Sequence, residues 1–194
     1  ENILNMLWLI RRQGYMPNHV GIHNRSQPPY LCQMVADYSD HVGWAGSDPV
    51  FFRECCDGLS QEYNFWITAR HTPTGLQRHG HHDTEEGCVA FHDGMLAKRL
   101  GKSEDAPREE KIEVGGHHLA EAETGWDFNP RFSGRCLDFN AVDLNGLLYT
   151  YETFLGRHAE DLGWDDAALW QERAAARRER MNRLLWSDAE GWFM

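Results

Sequence analysis

Residues 122–132 read Ala-Glu-Thr-Gly-Trp-Asp-Phe-Asn-Pro-Arg-Phe and set one acid, Asp127, between two aromatic rings, Trp126 and Phe128, with Arg131 close behind. An aromatic wall desolvates a carboxyl group and keeps it protonated to higher pH, which suits it to giving a proton to a departing glycosidic oxygen. The same run also reads as a packed loop closed by a capping aspartate.

A second group of residues suits hydroxyl recognition. Pro17-Asn18, followed by Asn24-Arg25-Ser26-Gln27-Pro28-Pro29-Tyr30, offers amide and guanidinium groups held by a rigid double proline. Asn and Gln each carry a donor and an acceptor, as a sugar hydroxyl does, and Arg is a multidentate donor that keeps its charge. The alternative is a turn with Pro28 at a helix start. The His79-Gly80-His81-His82-Asp83 and Gly115-Gly116-His117-His118 runs contain metal-ligand residue types, but their spacing matches no standard motif. No metal and no cofactor is therefore expected, and the histidines read as loop groups that donate to sugar hydroxyls or face water.

These residues need a scaffold, and the regular parts of the chain are helical. Phe52, Cys55, Leu59, Tyr63 and Trp66 recur at three- and four-residue steps, as do Leu144, Leu147, Leu148, Tyr151, Phe154 and Leu155. A third stripe runs Ala167, Trp170, Ala174, Met181, Leu184 and Leu185, with Asp165 as its N-cap. There is no sustained alternating strand pattern and no hairpin signal. Residues 16–29, 72–86 and 102–135 read as long irregular stretches, a length that in a compact helical domain signals function or disorder. Within them, residues 102–111 are charged and free of aromatics, an exposed linker; the rest carry Trp, Phe, Tyr, His and Arg and read as binding loops.

Composition narrows the partners. A formal charge of −11 excludes general nucleic-acid binding, which needs clustered Lys and Arg, and leaves small neutral ligands open. No apolar run approaches the roughly 20 residues of a membrane span, so no membrane partner is expected. The five cysteines are odd in number and lack a Cys-x-x-Cys pair, which argues against a disulfide framework and for a reducing, cytoplasmic setting. The 194 residues suffice for one domain, yet the chain begins inside an amphipathic pattern at Glu1-Asn2-Ile3-Leu4 and ends at Trp192-Phe193-Met194, as a piece of a longer enzyme would.

Three ordered motifs carry a family resemblance. Asn24-Arg25-Ser26-Gln27-Pro28-Pro29 with the upstream Pro17-Asn18, Glu123-Thr124-Gly125-Trp126-Asp127-Phe128, and Asp143-Leu144-Asn145-Gly146-Leu147-Leu148-Tyr149 resemble the corresponding signatures of the trehalase family of glycoside hydrolases. The resemblance implies an all-α, (α/α)6-barrel catalytic domain, of which residues 1–194 supply about half. It implies an inverting hydrolase in which Asp127 is the general acid and Arg25 a substrate-pocket residue. Trp126 shapes the sugar wall, and Asn18, Gln27, Glu123 and Arg131 are pocket or supporting candidates.

Inversion needs a second carboxylate, about 6.5–9.5 Å from the acid, to activate water. In the family this is a glutamate much nearer the C-terminus, so the rest of the barrel is required and the fragment alone is expected to be inactive. The family's Pro-Gly-Gly-Arg-Phe signature is also missing. Where trehalases carry Pro-Arg-Pro-Glu-Ser, this chain reads differently over residues 74–86, with Arg78 and Glu85 as substitutes, and Asn129-Pro130 replaces Ser-Ser. The substrate is thus trehalose or another small α-glucoside; glucosylglycerol, glucosylglycerate and mannosylglycerate hydrolases of the same clan are alternatives. A non-catalytic carbohydrate-binding scaffold is the reading from another class.

Overall fold

The computed structural model describes residues 1–43 and 48–194, and among them helices dominate. The chain divides into two compact units. The first comprises residues 1–16, 29–77 and 140–194, and the second residues 17–28 and 78–139.

The first unit contains α1 (Asn2–Gln13), α2 (Leu31–Val42), α3 (Pro49–Ala69), α7 (Val142–His158) and α8 (Ala167–Leu184). Helix α3 starts where Asp48 accepts a hydrogen bond from the Phe51 amide at 2.9 Å and Pro49 takes the first turn, where its missing N–H is no loss. Its expected stripe of Phe52, Cys55, Leu59, Tyr63 and Trp66 is buried throughout, and burial pushes the Cys55 thiol up to about 12. Gly58 lets α1 close on α3, since a Cβ there would stand 2.3 Å from Leu7 Cδ2. Helix α7 buries Leu144, Leu148, Tyr151, Phe154 and Leu155, and α8 covers it with Trp170, Ala174 and Arg177. The α8 stripe is shorter than its periodicity suggests. Leu184 is exposed, and the residue at the N-cap is Asp166, not Asp165, without a capping bond.

The second unit holds a hairpin of β1 (Pro17–His19) and β2 (Ile22–Ser26), then α4 (Glu85–Phe91), a single π turn (His92–Leu96), α5 (Ala97–Leu100) and α6 (Arg108–Glu123). Two 3₁₀ turns, Pro130–Phe132 and Cys136–Asp138, follow. Here the structure departs from the sequence expectation twice. Residues 102–135 are not irregular throughout, because α6 runs through them and begins at Arg108, inside the stretch expected to be a linker. From Gly115 to Glu123 every residue of α6 is buried, so this half of the helix has no solvent face and no periodic stripe to read. The hairpin has no alternating β-branched pattern because tertiary bonds hold it: the Ser26 amide donates to Glu123, and the Asn24 carbonyl accepts from the His82 amide. A second, two-residue hairpin, β3 (Trp186–Ser187) and β4 (Trp192–Phe193), belongs to the first unit.

All five cysteines are free and buried. Among the described residues no helix is long and apolar enough to cross a membrane, and no group of three or more His, Cys, Asp or Glu is arranged to hold a metal.

Candidate active site

The candidate residues lie in the second unit, on β1–β2, the loop before α4, and the C-terminal end of α6 with the loop beyond it. Helix α6 ends in a turn that its own side chains close. Thr124 Oγ1 donates to the Glu121 carbonyl at 2.7 Å and accepts the Trp126 amide at 3.0 Å. Gly125 follows at φ +74°, in the left-handed region that favours glycine, and reverses the chain. Asn129 then receives the Arg131 amide on its side chain at 2.8 Å and donates to the Trp126 carbonyl at 2.6 Å, so Asn129-Pro130 form the cap and first residue of a 3₁₀ turn.

This turn separates the two aromatics around Asp127. Phe128 packs inward against Phe91 and His118, with ring centroids 6.1 and 5.7 Å away, while Trp126 is 60% exposed. Asp127 is exposed as well. The aromatic nest expected around its carboxyl group is therefore not formed by this pair: Trp126 stands in solvent and Phe128 is committed to Phe91 and His118.

Arg25 of β2 is half-buried, 6.0 Å from the Phe91 ring, and its Nη1 donates to Asn24 Oδ1 at 2.9 Å. Asn24 in turn donates to Asp83 Oδ2 at 2.7 Å. Burial lowers the Arg25 pKa, and the charges of Asp127, Glu123 and Asp83 oppose that shift. One guanidinium thus feels the charge of three carboxylates, Asp83 from the loop before α4 and Glu123 and Asp127 from the end of α6 and the loop beyond it. Such a cluster can orient hydroxyls and hold a proton-transferring carboxyl in place.

Glu123 is fully buried. Its Oε2 accepts the Ser26 amide at 3.1 Å and its Oε1 the Gly80 amide at 2.9 Å, with His79 Nδ1 at 3.5 Å. It ties the Arg25 strand to the loop before α4 and faces backbone, not solvent. Asn18 and Gln27 come together across the hairpin, where Gln27 Nε2 donates to Asn18 Oδ1. Arg78 turns to the Leu137 carbonyl at 2.5 Å. Arg131 is exposed, its guanidinium over the Phe132 ring at 4.6 Å.

Asp83 is the residue that sequence reasoning missed. Glu85, the acid weighed for this region, sits at the exposed start of α4 with Arg108 at 3.5 Å. Asp83 instead reaches Asn24, and Gly87 makes its place, since a Cβ there would fall 1.7 Å from Asp83 Oδ1. The available signal was Thr84, an N-cap whose Oγ1 accepts the Gly87 amide at 3.1 Å and fixes where α4 begins. The histidines are placed differently from expectation too. His79, His92, His117 and His118 are buried; His117 accepts the Leu137 amide at 3.2 Å and His118 Nδ1 bonds the Val114 carbonyl at 2.8 Å.

A family model for trehalases matches residues 1–194, and the chain belongs to the trehalase family. Its fold is that of neutral trehalase Nth1 from Saccharomyces cerevisiae, with a TM-score of 0.82 at 24% identity over 99% of this chain and 41% of that one. The chain is accordingly a part of an (α/α)6 barrel and spans less than half the length of that relative.

Proposed function

We propose that this chain supplies the general-acid side of an inverting glycoside hydrolase that cleaves a small α-glucoside, trehalose foremost, with residues 1–194 forming part of one barrel catalytic domain. The observation that supports the reading is the cluster around Arg25, in which Asp127 is one of three carboxylates acting on a single half-buried guanidinium.

In this mechanism Asp127 gives its proton to the glycosidic oxygen as the bond to the anomeric carbon breaks. Arg25 holds sugar hydroxyls and steadies the carboxylate that remains. A carboxylate from outside these residues takes a proton from water, which attacks the opposite ring face in the same step and inverts the configuration. Trp126 offers its exposed ring to a sugar face. Asn18, Gln27 and Arg131 offer polar groups around it, while Arg78 acts through the loop it ties to Leu137. Because Asp127 is exposed here, the low-dielectric surroundings of a working acid come from bound substrate and the rest of the barrel.

Asp127→Asn in the intact enzyme should lower kcat by about 10³-fold or more and leave substrate binding in place, since general acid catalysis contributes about 10²–10⁴. Turnover within tenfold of wild type would refute the assignment and favour a binding scaffold. Proton NMR of the first-formed sugar should show the β anomer, and a panel of trehalose, glucosylglycerol and glucosylglycerate fixes the aglycone.

A further inference from the structure

We propose that Glu121 and His118 of helix α6 are positioning residues for Asp127, which they hold by fixing the two residues that follow it, Phe128 and Asn129. The inference rests on Asp127 being the acid. Because Asp127 is exposed, its place is set by the backbone that carries it, and that backbone is anchored downstream of the aspartate. Glu121 is 1% exposed, and its Oε1 accepts the Asn129 amide at 2.8 Å. His118 is 5% exposed and lies against the Phe128 ring, and a Cβ on Gly134, farther along the same loop, would stand 3.4 Å from His118 Cε1. His117, beside it, accepts the Leu137 amide at 3.2 Å and so holds the far end of the loop.

The Gly-Gly-His-His run thereby finds a use. A Cβ on Gly115 would fall 2.3 Å from the Cys88 carbonyl oxygen, and one on Gly116 would fall 3.1 Å from His81 Nε2. The two glycines let α6 press against α4, and the two histidines that follow carry the loop.

The arrangement favours a neutral His118. Burial lowers its pKa, Lys102, His117 and His92 lower it further, and the Val114 carbonyl opposes them. Around it, Arg99 of α5 lies over the Phe128 ring at 5.9 Å, His92 of the π turn pairs with Asp93, Asp93 with Lys111, and Glu121 follows one turn along α6. An opened loop, with the ring in water, takes a proton below about pH 6.5, whereas the closed loop resists it. The contribution of His118 to the closed loop is therefore fully present above that pH and is lost as pH falls.

The test uses the intact enzyme. Glu121→Ala should lower kcat by about 10- to 100-fold, the order expected for about 1 Å of misplacement, with KM changed by less than about threefold. Glu121→Gln keeps an acceptor oxygen for the Asn129 amide and should restore most of the loss. The Asn129 amide should exchange hydrogen faster in Glu121→Ala. In wild type, exchange over residues 128–137 should rise below about pH 6.5 beyond the intrinsic rate, and in His118→Phe that rise should vanish. Equal losses in the Ala and Gln variants, unchanged kcat in Glu121→Ala, or exchange that ignores His118 would overturn the proposal. If Asp127→Asn retains turnover the acid assignment fails instead, an outcome the exchange measurements do not depend on.

Discussion

The two units use buried carboxylates in opposite ways. In the first, Glu152 of α7 accepts Tyr63 Oη of α3 at 2.7 Å and the Nε and Nη2 of Arg177 from α8 at 2.9 and 2.8 Å. Arg177 also reaches Gln77 Oε1 at 2.5 Å and Asn145 Oδ1 at 2.8 Å, and Glu62 takes a bond from Tyr151 Oη at 2.6 Å. There, side chains answer side chains, and acids serve as struts between helices. In the second unit the buried acids Glu121 and Glu123 answer backbone amides, which fixes loops, while Asp83 and Asp127 remain at the half-buried and exposed ends of the Arg25 cluster. Burial of a carboxylate is thus no mark of catalysis in this chain. In the proposed mechanism the acid is instead a carboxylate left open, on a loop that buried ones hold.

Arg177→Met should show the largest effect on stability. It removes the charge partner of a buried glutamate and leaves Gln77 and Asn145 without their shared donor, a loss of about 3–5 kcal/mol. Urea unfolding measures it, and a loss below about 1 kcal/mol would show that the strut network is not what binds α8 to α7.

Glu62 gives the next effect and sharpens the contrast through pH. Burial pushes its carboxyl up to about 7, against the pull of the Tyr151 hydroxyl. A carboxyl raised on folding makes the folded state bind the proton more tightly than the unfolded state. The contribution of Glu62 to stability is therefore fully present below about pH 4.5, falls as pH rises toward about 7, and is lost above it, a change of about 3 kcal/mol. Glu62→Gln should flatten this slope and make the protein more stable than wild type at pH 8. An unchanged slope would mean that the carboxylate finds compensation elsewhere.

Much of this architecture is legible in the sequence where one face of an element is buried and the other wet. The stripes of α3 and α7 are of that kind, and they appear where expected. The α6 helix is hidden because its C-terminal half is buried on every side and so has no periodic stripe, and because Gly115-Gly116-His117-His118 interrupts its helix formers. The β1–β2 hairpin is hidden for a related reason, since Glu123, nearly a hundred residues away, supplies a bond that its own residues do not. Arg25 and Asp127 enter the proposed site through the motifs that carry the family resemblance. Those motifs do not reveal the contact of Asp83 with Asn24, masked among histidines, or the exposure of Asp127.

Arg25→Met should give the smallest stability effect and so tests the comparison most directly. Its guanidinium is half-buried, and the one fully buried carboxylate whose charge it feels, Glu123, keeps the Ser26 and Gly80 amides, so its loss leaves no buried charge without a partner. The expected cost is within about 1 kcal/mol, against several for Arg177→Met, because partly exposed ion pairs contribute little. Turnover should respond in the reverse order. Arg25→Met in the intact enzyme should lower kcat/KM by about 10²-fold or more, since a charged hydrogen bond in a site is worth about 1.5–3 kcal/mol and the sugar loses its orientation as well. If instead Arg25→Met unfolds the protein as readily as Arg177→Met does, the second unit is a strut network like the first. If it leaves kcat/KM intact, the three carboxylates surround that arginine only to solvate it. Stability kept and turnover lost, in one substitution, is the outcome that sets the two units apart.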